Sequence, residues 1–111
     1  MNDASVDVER TGSHAVRIVL DGEIDLANVG TVEAQLLEAI SNQLVDVTVD
    51  LTGVSYIDSA GLRVLFLLGA RLETLQIGFH LVVPPDSAVR KVVDLSGIAA
   101  IASVEDAPRP A

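Results

Sequence analysis

The sequence predicts one α/β domain: a mixed, mostly parallel sheet of four to five strands with helices packed mainly on one face. Three observations carry this expectation. Hydrophobic periodicity switches several times between strict alternation and helical spacing, the pattern of strands alternating with helices. The first two apolar runs are close enough to form a hairpin, which makes the sheet mixed. Half of the 111 residues are hydrophobic but only 3% are aromatic, so the core must be aliphatic, as suits strands with helices packed on them. A chain of this length has room for one such core.

The elements follow in order. Val6 and Val8 mark a short first strand, and Thr11-Gly12-Ser13 a turn. Residues 15–20 read as a second strand. Residues 29–43 carry Val29, Val32, Leu36 and Ile40 at helical spacing. Val45, Val47, Val49 and Leu51 alternate with Asp46, Thr48 and Asp50, the clearest strand in the chain. That strand is expected to end at Leu51 and to turn at Gly53. Residues 59–76 read as a long helix and 77–83 as a strand running into Pro84-Pro85. Asp86 or Ser87 can cap a further helix to about Leu95, stopped by Gly97. Residues 98–104 suggest a last short strand. The domain is expected over 6–104, between flexible tails at 1–5 and 105–111.

Composition narrows the function. No cysteine is present, so disulfides, thiol chemistry and cysteine-based metal sites are excluded. The start, Met1-Asn2-Asp3-Ala4, has neither the basic nor the apolar part of a signal peptide. No apolar run is long enough to span a bilayer, so no membrane partner is expected. Sixteen acidic and seven basic residues leave a net charge of -9. That field repels phosphate backbones and disfavours nucleic acid as a partner. It would steer the chain toward a basic protein surface, or simply keep it soluble. His14 and His80 are far apart without ligand-like neighbours, and no metal or cofactor site is expected. No nucleophile–base pair stands out, so no catalytic residue is assigned.

One stretch remains, Asp50-Leu51-Thr52-Gly53-Val54-Ser55-Tyr56-Ile57-Asp58-Ser59-Ala60-Gly61-Leu62. A helix opens there at Asp58 or Ser59, either of which can be the N-cap. Gly61 sits in the first turn, where glycine is a poor helix former. Either something approaches the backbone there or the turn packs tightly. On the residues alone, Ser59 reads as a helix cap.

This segment resembles the signature of STAS-domain anti-sigma factor antagonists, in which a strand leads through a short loop to D-S-S/A-G-L. Leu20-Asp21-Gly22-Glu23-Ile24-Asp25 is similar to the family's earlier L-x-G-E-I/L-D segment. Residues 89–97 are similar to its late amphipathic helix, which closes with glycine. The resemblance covers roughly residues 6–104, with the three segments in order. It implies a bacterial, cytoplasmic, non-enzymatic switch that binds an anti-sigma factor with serine kinase activity and so frees a sigma factor. It implies that Ser59 takes the phosphate and that a phosphatase resets it. With Ala60 next, the motif itself holds a single hydroxyl; Thr52 and Ser55 lie before it. The implied partner-binding residues are Asp25, Asp58, Ser59, Ala60, Gly61, Leu62 and Arg63. STAS domains also serve as subunits of lipid-transport and stress-sensing assemblies, so a scaffolding role is the alternative.

The physics of such a switch is independent of the family. A phosphate on Ser59 adds about -1.5 to -2 charges and strong acceptor oxygens. The positive helix end can carry it, Arg63 is placed to reach back to it, and Asp58 repels it. A changed surface is therefore expected, without refolding. Asp25 reads equally as a partner contact or as part of the cap before the Val29 helix. The helix over Leu62, Val64, Leu65, Phe66, Leu67, Leu68, Ala70 and Leu72 is apolar nearly all round. Burial accounts for most of it, and Leu62 is the residue assigned to a partner. A phosphoacceptor receiver domain is rejected, because the single lysine, Lys91, falls inside a helix.

Overall fold

The computed structural model describes residues 3–107. Within them the order is β1 (Ala4–Gly12), β2 (Ala15–Ile24), α1 (Val29–Glu38), β3 (Asp46–Ile57), α2 (Ser59–Thr74), β4 (Gly78–Val83), α3 (Ala88–Ser96), a 3-10 turn (Ile98–Ala100) and β5 (Ser103–Asp106). The strands form one sheet in the order β1-β2-β3-β4-β5. β1 and β2 are the antiparallel hairpin; β2, β3, β4 and β5 run parallel. This is the mixed, mostly parallel α/β sheet that the periodicity predicts.

Register explains the two faces. Val16 lies beside Val47, and Val47 beside Phe79; Ile18 lies beside Val49, and Val49 beside Leu81. These residues share one core with Val32 and Leu36 of α1, Leu65, Leu68 and Leu72 of α2, and Val89 and Val93 of α3. Because strand side chains alternate, the residues between them face the opposite way. There the rows run Glu9, Arg17, Thr48, His80, Ser103 and Asp7, Val19, Asp50, Val82, Glu105. Val82 is buried yet stands outside the helix-side cluster.

Several boundaries differ from expectation. The strand expected to end at Leu51 continues to Ile57, because β2 also runs on to Ile24 and the two stay paired through register shifts: Asp21 meets Gly53, and Ile24 meets Ile57. Gly53 is a strand residue paired with Asp21, not a loop turn, and a Cβ there would lie 1.6 Å from Asp21 Oδ1. The helix expected over 29–43 ends at Glu38; the chain turns at Ser41, whose carbonyl accepts the Leu44 N–H, and so buries Leu44. The expected strand at 98–104 begins as the 3-10 turn, which buries Ile98. Gly97 supplies the left-handed residue (φ 81°) that ends α3. Strand extends to Ala4 and to Asp106, beyond the limits expected for the ordered domain, and Ala107 is buried. The rest of the expected tails, residues 1–2 and 108–111, lies outside the described residues. No described helix is long and apolar enough to cross a membrane.

Candidate functional site

The parallel strands β2 and β3 finish side by side at Ile24 and Ile57. From there the chain enters α1 through residues 25–28 and α2 through Asp58. Ends of parallel strands in α/β sheets are where such folds place their sites.

Asp58, with an extended backbone, is the N-cap of α2. Its Oδ1 accepts the N–H groups of Ala60 (3.0 Å) and Gly61 (3.1 Å), donors that the helix itself cannot satisfy. Its Oδ2 accepts the Leu26 N–H at 3.2 Å, and its own N–H donates to the Ile24 carbonyl. One carboxylate thus caps α2 and ties it to the neighbouring loop. Of the two cap candidates, the structure selects Asp58. Ser59 is the first helical residue, exposed and without a capping duty.

The following turn is shaped by packing. A Cβ on Gly61 would lie 2.6 Å from Ile57 Cγ1 and 3.0 Å from Ile24 Cγ2. The glycine therefore lets the helix start sit directly on the two strand ends, which decides between the two readings of Gly61. Ala60 and Leu62 are half-buried, Leu62 against the core, and Arg63 is exposed. Ser59 and Arg63, four residues apart, share one helix face.

Asp25 is only 8% exposed. Its Oδ1 accepts the Ala27 N–H at 2.9 Å, and its carbonyl accepts those of Asn28 and Val29. Asn28 Nδ2 donates to the Glu23 carbonyl (2.7 Å), and Asn28 Oδ1 accepts the Asp25 N–H (3.1 Å). The geometry thus gives Asp25 a loop-building position beside Asn28, in the loop whose Leu26 N–H bonds the Asp58 cap. Of the other hydroxyls, Thr52 donates to Asp50 Oδ1 at 2.5 Å. Ser55 is exposed and lines a shallow groove with Tyr56, Ile57, Ala88, Val89 and Val92.

Sequence reasoning missed two features. Leu26, 77% exposed beside the cap, gives no local signal, since the carboxylate that takes its N–H lies 32 positions away. The ion pairs of the open sheet face were missed too. His80 Nε2 lies 3.0 Å from Asp46 Oδ1, and Nδ1 lies 2.7 Å from Glu105 Oε2. The bond to Asp46 leads in holding the imidazole above its ordinary 6.5; partial burial opposes it and Glu105 adds to it. Strand alternation would have put these three on one face, but not in neighbouring strands. Among the described residues, no group of three or more histidine or acidic side chains is arranged to hold a metal.

Fold and site together define a small α/β domain that presents a serine on a capped helix start at the strand ends. The model of the STAS domain family matches residues 5–108, and the chain belongs to that family. No curated protein matches it in sequence. Its structure is similar to that of an anti-sigma factor antagonist from Mycobacterium paratuberculosis (TM-score 0.83, 20% identity, 94% of this chain and 86% of that one). It is also similar to the anti-sigma factor antagonist SpoIIAA in its unphosphorylated form (TM-score 0.76, 25% identity, 95% and 90% of the two chains). The phosphorylated form of SpoIIAA, described as a Bacillus cell fate determinant, matches with a TM-score of 0.72 at 24% identity over 95% and 93% of the two chains.

Proposed function

We propose that this protein is an anti-sigma factor antagonist that works in the cytoplasm as a binding protein without catalysis. Unphosphorylated, it binds an anti-sigma factor with serine kinase activity and frees a sigma factor. Phosphorylation of Ser59 switches it off, and a phosphatase restores it. The observation that carries this reading is the position of Ser59: exposed, first in α2, with the capping bonds made by Asp58. Its hydroxyl is open to a kinase at no cost to the helix. Similarity to SpoIIAA, solved both with and without phosphate, supports it.

The binding face consists of Ser59, Ala60, Leu62, Arg63 and the outer edge of Asp58, with Gly61 and Asp25 shaping it from beneath. A phosphate there meets the partner directly. A hundredfold loss of affinity needs about 2.7 kcal/mol, within reach of one desolvated phosphate. The test is incubation with the candidate anti-sigma kinases of the source bacterium and ATP, with the modified residue mapped by mass spectrometry. Phosphate is expected on Ser59 and absent from Ser59→Ala, while Ser59→Asp binds more weakly. Phosphate elsewhere, or with no candidate at all, overturns the reading in favour of a scaffolding STAS subunit.

A further inference from the structure

The outer face of α2 carries charge opposite in sign to that of the whole chain. Ser59, Arg63, Leu67 and Arg71 follow one another at four-residue spacing, and all four are exposed. That spacing makes them one strip along the helix, with Arg71 about 18 Å from Ser59 at 1.5 Å per residue. Among the described residues, neither arginine makes an ion pair or a side-chain hydrogen bond. Glu73, the only acid in α2, is two residues beyond Arg71 and so turned to the far flank. There it lines a groove with Gly69, Ile77, Phe79 and Ile101. The other helices differ: α1 has no basic residue, and on α3 Arg90 is taken up by Asp94 and Asp106. Arg10 of β1 and Lys91 of α3 are exposed single cations.

Folding does not require this strip. Near a helix start a cation opposes the macrodipole, so an unpaired Arg63 adds nothing to the stability of α2. Arg71, in the last turn, does complement the dipole, but that duty needs neither Arg63 nor an exposed leucine between them. Leu67 is 45% exposed. Arginines flanking an exposed apolar side chain have the composition of a binding surface. In a chain of net charge -9, two unpaired cations on one strip are the complement of negative charge. Locally, α2 therefore reverses the preference for a basic surface that the overall charge sets.

We propose that the anti-sigma factor docks along this strip from Ser59 to Arg71, with carboxylates opposite Arg71 and an apolar side chain on Leu67. The proposal rests on the reading of Ser59 as the switch. Near the serine the negative charge is that of the ATP phosphates, which Arg63 is placed to meet one helical turn from the acceptor hydroxyl. Once Ser59 is phosphorylated, its phosphate faces the same negative partner strip and draws Arg63 to itself, so the partner leaves.

The experiment measures binding of the wild-type protein, Arg71→Glu, Arg71→Lys and Arg10→Glu to the anti-sigma kinases of the source bacterium. Calorimetry with a non-hydrolysable ATP analogue, at low and high salt, gives the affinities. Arg71→Glu is expected to bind about tenfold or more weakly, with the gap narrowing as salt is raised. Arg71→Lys keeps near wild-type affinity. Arg10→Glu makes the same change in net charge off the helix and leaves the affinity unchanged. Melting temperatures check the fold; if Arg71→Glu unfolds, Arg71→Gln replaces it, with a smaller loss in the same direction. Wild-type affinity in the Arg71 variant, or an equal loss in Arg10→Glu, overturns the proposal while phosphorylation of Ser59 still stands. If no kinase binds or modifies the wild type, the switch reading fails and the proposal falls with it.

Discussion

On the helix side of the sheet, Val16, Val47 and Phe79 cross three strands into an aliphatic core. One residue along, on the other side, the same strands present Arg17, Thr48 and His80. The covered face is held by area and shape, without direction. The open face is held by charges that must find particular partners: Arg17 with Asp50, and His80 between Asp46 and Glu105. Even there one carboxylate is nearly enclosed. Asp50 is 7% exposed, held by the Thr52 N–H and hydroxyl and by the Arg17 guanidinium. Burial pushes its carboxyl up, but those donors together outweigh it and keep it below its ordinary 3.8. Packing on the covered face therefore carries most of the stability, while the open face tunes it with pH.

The largest loss of stability comes from a cavity on the covered side. Leu68 is fully buried, and Leu68→Ala should cost about 2–5 kcal/mol by urea unfolding. Gly61→Ala comes next, since its Cβ must displace Ile57 and Ile24. About 1–3 kcal/mol is expected, with amide shifts concentrated at residues 24–26 and 57–62.

On the open face, Asp50→Ala removes the acceptor of Arg17 and Thr52 and should cost about 1–2 kcal/mol at neutral pH. The sign with pH follows from linkage. A carboxyl depressed in the native state stabilises above the unfolded value of 3.8 and ceases to do so as the pH falls through the native one. Wild type and Asp50→Ala should therefore converge in strong acid. His80→Gln is the smallest effect, below about 1 kcal/mol, because its partners are exposed and screened by solvent. It runs the opposite way: a raised histidine stabilises below 6.5 and loses that contribution as the pH climbs through the native value. Unfolding curves from mildly acidic to alkaline pH should show the gap close upward; a gap that widens upward rejects the assignment.

Alternation over Val45–Leu51 and helical spacing over Val29–Ile40 were enough to read an α/β domain, because side-chain periodicity is a local property of the backbone. The D-S-x-G-L segment made Ser59 legible for the same reason, as did the Ser87 cap and the Gly97 stop of α3. Strand ends were not legible. Residues 53–57 lack alternation and become strand only because β2 continues beside them through shifted register.

The sequence by itself determined the class of fold, the hairpin that makes the sheet mixed, and the serine at the start of a helix. Only the tertiary structure decided which residue caps that helix, and that the cap reaches across 32 positions to Leu26. It also decided that Asp25 lies beneath the surface and that His80 bridges three strands. The physical reason is distance along the chain. Periodicity and capping act over a few residues, whereas a hydrogen bond between two loops exists only once parallel strands bring their ends together. The place of Ser59 at a helix start could be read from its neighbours; the hydrogen-bonded frame around that helix start could not.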